Sequence, residues 1–160
     1  MPSTRPIKLD DWGISWEEYK ELTYFALQYN RKKADAAALL TIKVSTPAPV
    51  MYHKGGKEYG TFLPHGSGRT SDPVAATAAK RDRLLRDVRM IEQAAQAACE
   101  DAGEGMYPAL MKAVTSRSGV QAVYADPDKR PPLGERQFYV LRRKFFWILR
   151  EMRCGDIEVM

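Results

Sequence analysis

The chain has 160 residues, of which 28% are charged and 44% hydrophobic, enough for one ordinary domain or two small helical ones. These values exclude a collagen-like or disordered chain, and no apolar run reaches the 18 residues a membrane-spanning helix needs. The formal net charge is +5, which directs attention to an anionic partner.

Residues 1–13 read as an N-terminal arm. Met1-Pro2-Ser3-Thr4-Arg5-Pro6 has no apolar stretch behind its charge, so a secretory leader is not expected. The segment 14–72 reads as an N-terminal helical region followed by a glycine-rich loop. Ser15 and Glu18 have the spacing of a capping box, in which each side chain satisfies the other's free backbone N–H. Ile14 and Tyr19 are placed to staple that cap. Tyr19, Leu22, Phe25, Ala26 and Tyr29 then recur with a helical period. The alanine-rich stretch from Ala34 to Leu40 either continues this helix or begins a second one after a break near Asn30.

From Ile42 to Ser71 the chain is punctuated by Pro47, Pro49, Gly55, Gly56, Gly60, Pro64, Gly66 and Gly68, the pattern of a long loop. Within it, Val50–Tyr52 and Tyr59–Leu63 have the composition of a short β-hairpin. The segment 73–160 reads as a C-terminal helical domain. Asp72 is a good N-cap, and Pro73 suits the first helical position, where its missing N–H costs nothing. That helix is expected to reach about Ala102. Its stripe of Leu84, Val88, Ile91, Ala95, Ala98 and Ala102 alternates spacings of four and three. Packing within the chain is the first reading of this stripe, and a homodimer seam is the alternative. Lys80, Arg81, Arg83, Arg86 and Arg89 add positive charge to the helix's first half. A helix from Met106 to about Ser116, a turn of helix over Val120–Tyr124 and a proline-rich loop from Asp126 to Pro132 follow. The last helix is expected from about Gly134 to Arg153, before Gly155.

The last helix carries the sharpest functional signal. Between Lys129 and Arg153, eight positive residues face only Glu135 and Glu151, an excess of +6. On a helical wheel Phe138, Leu141, Phe145, Ile148, Leu149 and Met152 share one face, the core side. Arg136, Arg143 and Arg150, seven apart, lie opposite, with Tyr139 and Trp147 among them. Burial is the favoured reading for Phe146 and Trp147. An arginine face with interleaved aromatics suits nucleic acid: arginine neutralises phosphate or grips guanine bidentately, and rings stack on bases. The candidate binding set is Lys129, Arg130, Arg136, Tyr139, Arg142, Arg143, Lys144, Trp147 and Arg150. Val120–Tyr124 with the last helix has the order of a helix-turn-helix-like unit.

Pro64-His65-Gly66-Ser67-Gly68 with Ser71-Asp72-Pro73, the run Arg136–Trp147, and the opening from Trp12-Gly13-Ile14-Ser15 to Tyr29 resemble small prophage-encoded proteins of Gram-positive bacteria. Some of those are described as sigma-factor-like or late transcriptional regulators. The resemblance implies DNA binding and a phage or mobile-element origin, and the sparse cysteines point to a reducing cytosol, so the expected location is the cytoplasm of a bacterial host cell. Other chemistry is poorly served. Ser67 beside His65 lacks a nucleophile elbow, and Gly55-Gly56-Lys57 lacks the P-loop pattern. His53, His65, Cys99 and Cys154 show no paired ligand spacing, and two cysteines make no disulfide framework. The expectation is therefore a mainly α-helical bundle with no enzymatic activity, no metal and no cofactor. Its expected role is a phage-type DNA-binding transcriptional regulator, with duplex DNA as partner. The alternative is a phage-encoded, anti-CRISPR-like inhibitor that binds a host protein or ribonucleoprotein complex. A particle assembly protein that oligomerises through the heptad-like stripe is the third reading.

Overall fold

The computed structural model describes residues 12–41, 50–54, 57–62 and 72–155. The fold is mainly helical: α1 (Trp16–Leu27), α2 (Tyr29–Thr41), α3 (Pro73–Cys99), α4 (Met106–Thr115), α5 (Gln121–Tyr124) and α6 (Glu135–Cys154). Between α2 and α3, β1 (Val50–Lys54) pairs antiparallel with β2 (Lys57–Phe62). Val50 stands opposite Phe62 and Lys54 opposite Lys57, with an irregularity between Met51 and His53. The strands run longer than the hairpin composition indicated, and β2 begins at Lys57 rather than Tyr59. Residues 1–11 of the expected arm, the rest of the Ile42–Ser71 loop and the motif Pro64–Gly68 lie outside the described residues.

Local chemistry explains where the helices begin. Ser15 Oγ accepts from the Glu18 N–H at 3.2 Å, and Glu18 Oε2 accepts from the Ser15 N–H at 2.9 Å, so the capping box is closed. That backbone N–H holds the Glu18 carboxyl below the ordinary glutamate range, with Arg150 adding to the effect. The Asp72 carboxylate accepts from the Val74 N–H at 2.9 Å and Pro73 opens α3. α3 stops at Cys99, three residues short of Ala102, where the chain passes into a turn closed by the Ala102 N–H on the Cys99 carbonyl at 3.0 Å. α4 finishes at Thr115, where Ser116 turns extended.

The core is one cluster that joins Ile14, Leu22, Ala26 and Tyr29 to the buried faces of α3, α4 and α6. Residues on both sides of position 72 thus share it. Every residue assigned to the core side of the last helix is buried: Phe138, Leu141, Phe145, Ile148, Leu149 and Met152, with Phe146 added. α6 packs on α3, whose buried side is made of Val88, Ile91, Ala94, Ala95 and Ala98. Small residues on one helix and large aromatics on the other let the two axes approach while filling the space between them. The stripe on α3 is therefore packed inside the chain at Val88, Ile91, Ala95 and Ala98, while Leu84 and Ala102 at its two ends are partly buried. Trp12, placed in the arm by its sequence position, also belongs to this body: it packs on the core and lies against Trp147, ring centroids 6.2 Å apart. No described helix is long and apolar enough to cross a membrane.

α2 returns along α3 as an antiparallel pair tied by polar contacts. Lys32 Nζ meets the Asp87 carboxylate at 2.6 Å, and the Tyr29 hydroxyl donates to Glu92 Oε1 at 2.5 Å. Lys33 Nζ donates to the Tyr29 oxygen at 3.0 Å and lies 3.4 Å from Glu92. Burial, with the bond to Glu92, pushes the Tyr29 hydroxyl above its ordinary range, so it stays a donor. Tyr29→Phe removes a hydrogen bond to a charged group and leaves the carboxylate only its exposed lysine. The expected cost is about 1.5–3 kcal/mol, read as a lower urea midpoint with an unchanged m-value.

Candidate nucleic-acid interface

The nine candidate residues divide according to what the fold places beside them. α6 buries one face in the core, and its outer face runs along Arg136, Tyr139, Val140, Arg143, Trp147 and Arg150. The N-terminal segment folds across the C-terminal half of that face. Glu18, held in the capping box of α1, lies 3.4 Å from Arg150 Nε, and Glu151 lies 3.4 Å from its Nη1. Trp147 is half-buried under Trp12. The row Arg136–Arg143–Arg150 is not uniform: Arg150 pairs with Glu18 of α1 and with Glu151, whereas Arg136 and Arg143 pair with no carboxylate among the described residues.

Arg142 is also drawn inward. Its Nη1 donates to the Tyr19 hydroxyl at 2.5 Å, and its guanidinium stacks 5.1 Å from the Phe146 ring centroid and 5.7 Å from that of Tyr19. Tyr19 meets Phe146 edge-on at 5.2 Å. A guanidinium close to two rings, with Nη1 on a tyrosine hydroxyl and Nε buried, contributes to packing of α1 on α6. Lys144 is half-buried and spans to Asp101 after the end of α3, at 3.4 Å. Lys129 pairs with Asp126 across an exposed 3-10 turn at 3.6 Å, a contact of little energetic weight that a phosphate can displace.

What remains open is the N-terminal half of α6 and the turn before it. Arg136 is exposed and Arg143 half-exposed, and neither has an ion-pair or hydrogen-bond partner among the described residues. Between them, Tyr139 and Val140 each keep 37% of their surface in water, high for large apolar groups on a helix so rich in core residues. Arg130 is exposed and donates through Nε to the Tyr124 carbonyl at 3.2 Å. Tyr124 in turn bonds the Leu133 carbonyl at 2.6 Å and lies edge-on to Phe138, so the turn is fastened to the start of α6. α5, in the place expected for the supporting helix, is a single turn of four residues, and the link to α6 contains the 3-10 turn Pro127–Lys129.

Comparison with protein-family models, curated proteins and solved structures finds no match.

Two features escaped the sequence reading. Trp16, 57% exposed, and Tyr24, 67% exposed, stand on the outer side of α1, where the helical period alone does not separate them from core aromatics. An open groove at the turn between α3 and α4 is lined by Gln96, Cys99, Glu100, Glu104 and Tyr107. Its carboxylates give it the opposite sign to the α6 surface. Burial pushes the Cys99 thiol above its ordinary range, so it stays neutral there, as a packing residue would. Among the described residues no cluster of histidine, cysteine and carboxylate groups has the make-up of a metal site.

Proposed function

We propose that this protein binds duplex DNA through the N-terminal half of α6, as a transcriptional regulator of the kind the prophage resemblance implies. The observation that carries the reading is a pair of arginines without a partner among the described residues, Arg136 and Arg143, flanking exposed Tyr139 and Val140 on one helix face. In this reading α6 presents its first two turns to a major groove. The two guanidinium groups reach guanine edges or phosphates, and the Tyr139 ring and Val140 methyls meet thymine methyls. Lys129 and Arg130, on the turn ahead of the helix, contact the backbone and set the register.

A second reading rests on the same Tyr139 and Val140. Tyrosine and arginine around a small exposed apolar centre is also the composition of a protein-binding hot spot. It suits a phage inhibitor that docks on a host defence complex. Fluorescence anisotropy with labelled random duplex, single-stranded DNA and RNA at 50 and 200 mM salt separates the two. The DNA reading expects duplex affinity that falls by about 10³-fold or more over that range if six or so phosphates are contacted. No duplex binding at 50 mM salt overturns it and leaves the protein-docking reading.

A further inference from the structure

We infer that Arg83, Arg86 and Arg89 of α3 form a second contact with the phosphodiester backbone of the duplex, separate from the α6 surface. This inference rests on the DNA-binding reading. By spacing alone these arginines look neutralised: Asp82 stands four residues before Arg86, Asp87 four after Arg83, and Glu92 three after Arg89. The fold sends each of those carboxylates elsewhere. Asp82 lies 3.8 Å from Arg81, Asp87 is taken by Lys32 of α2 at 2.6 Å, and Glu92 by Tyr29 and Lys33 of α2. The three arginines are left exposed and without a carboxylate partner among the described residues.

Their geometry fits a backbone rather than bases or a membrane. At steps of three they fan over about 120° of the helix, Arg86 and Arg89 on the side away from the buried face and Arg83 at its edge, and span about 9 Å of axis. A DNA strand places a phosphate every 3.4 Å of its axis, so extended guanidinium groups over that length meet several. No large hydrophobic residue of α3 beyond Val74 is exposed, so this stretch has no ring to stack on a base and no anchor for lipid. The row is also distant from the first surface. The Lys144–Asp101 pair puts the middle of α6 beside the end of α3, and Arg86 lies 15 positions earlier, about 22 Å along the axis.

The test is the slope of log affinity against log salt for a 30-base-pair random duplex, measured on the full chain. Arg83→Gln/Arg86→Gln/Arg89→Gln should reduce that slope by up to about 3, nearly one for each lost phosphate contact, with an unchanged thermal midpoint. The corresponding triple lysine variant should keep the wild-type slope. A glutamine triple with wild-type slope and affinity overturns this inference and leaves the α6 reading standing. A wild-type chain that does not bind duplex overturns both. A lysine triple that loses the slope as the glutamine triple does also overturns it, since charge would then not be what the row supplies.

Discussion

Replacing Phe145 by alanine is expected to cost about 3–5 kcal/mol of stability, a large share of the roughly 5–15 kcal/mol a domain of this size possesses. Phe145 is fully buried on α6 and meets Phe146 at 5.0 Å between ring centroids, inclined by 68°. The loss therefore removes the transfer free energy of a large ring, an edge-to-face contact and the volume the ring fills. The cavity is hard to close. The buried side of α3 carries Ala94, Ala95 and Ala98 beside Val88 and Ile91, and the alanine methyl groups have no rotamer that reaches into a void. Phe146 is held by Tyr19 and by the stacked Arg142 guanidinium. A fall in thermal midpoint of about 6–20 °C is the corresponding signature in a calorimeter. Phe145→Leu keeps most of the volume and should lose less than half as much. A change under 1 kcal/mol for the alanine variant would mean that α6 is not the central packing helix.

That packing was legible because it depends on local periodicity. Phe138, Leu141, Phe145, Ile148, Leu149 and Met152 mark one side of a helix whatever lies opposite, and a capping box closes between residues three apart. What the periodicity could not specify was the partner of each polar residue on the opposite side. Arg136, Arg143 and Arg150 are equivalent by spacing. They differ because Glu18, 132 positions from Arg150, arrives at one end of α6 only. Arg142 looks like a flanking cation until Tyr19, 123 positions away, takes its Nη1. The same limit worked in reverse on α3. There the helix's own carboxylates suggest internal neutralisation, and α2 removes two of them from it. Long-range pairing decided which cations are structural and which are free, and it is absent from any window of twenty residues. The candidate residues on α6 thus differ in their surroundings, with Arg142, Lys144 and Arg150 drawn into contacts that Arg136 and Arg143 lack among the described residues, and Arg83, Arg86 and Arg89 went unassigned. The lengths of α3 and α5 were overestimated for a related reason. Apolar spacing marks a helix face and not its ends, so α3 finishes three residues before Ala102 and α5 starts one residue after Val120.

The division among the α6 arginines leads to opposite outcomes for variants that composition would treat alike. Arg136→Ala and Arg143→Ala each delete an unpartnered guanidinium, so the double variant should fold with a native thermal midpoint and lose duplex affinity. A bidentate base contact is worth about 1–3 kcal/mol, or roughly 5- to 150-fold for each residue, and a phosphate contact lowers the salt slope by about one. Arg150→Ala should do the reverse. Duplex affinity should stay within about twofold, while the midpoint falls by a few degrees, because Glu18 and Glu151 lose their cation and the contact of α1 on α6 loosens. The measurement is a pair of readouts on each variant, anisotropy against a selected duplex and a thermal melt. If Arg150→Ala weakened binding as much as Arg136→Ala with no change in its melt, the surface would extend over the second half of α6. Glu18 would then have to release Arg150 when DNA binds. If neither Arg136→Ala nor Arg143→Ala weakened binding, α6 would be a scaffold helix alone. Any remaining duplex affinity would then belong to the Arg83–Arg86–Arg89 row of α3, where the three carboxylates within pairing distance along the helix are already committed.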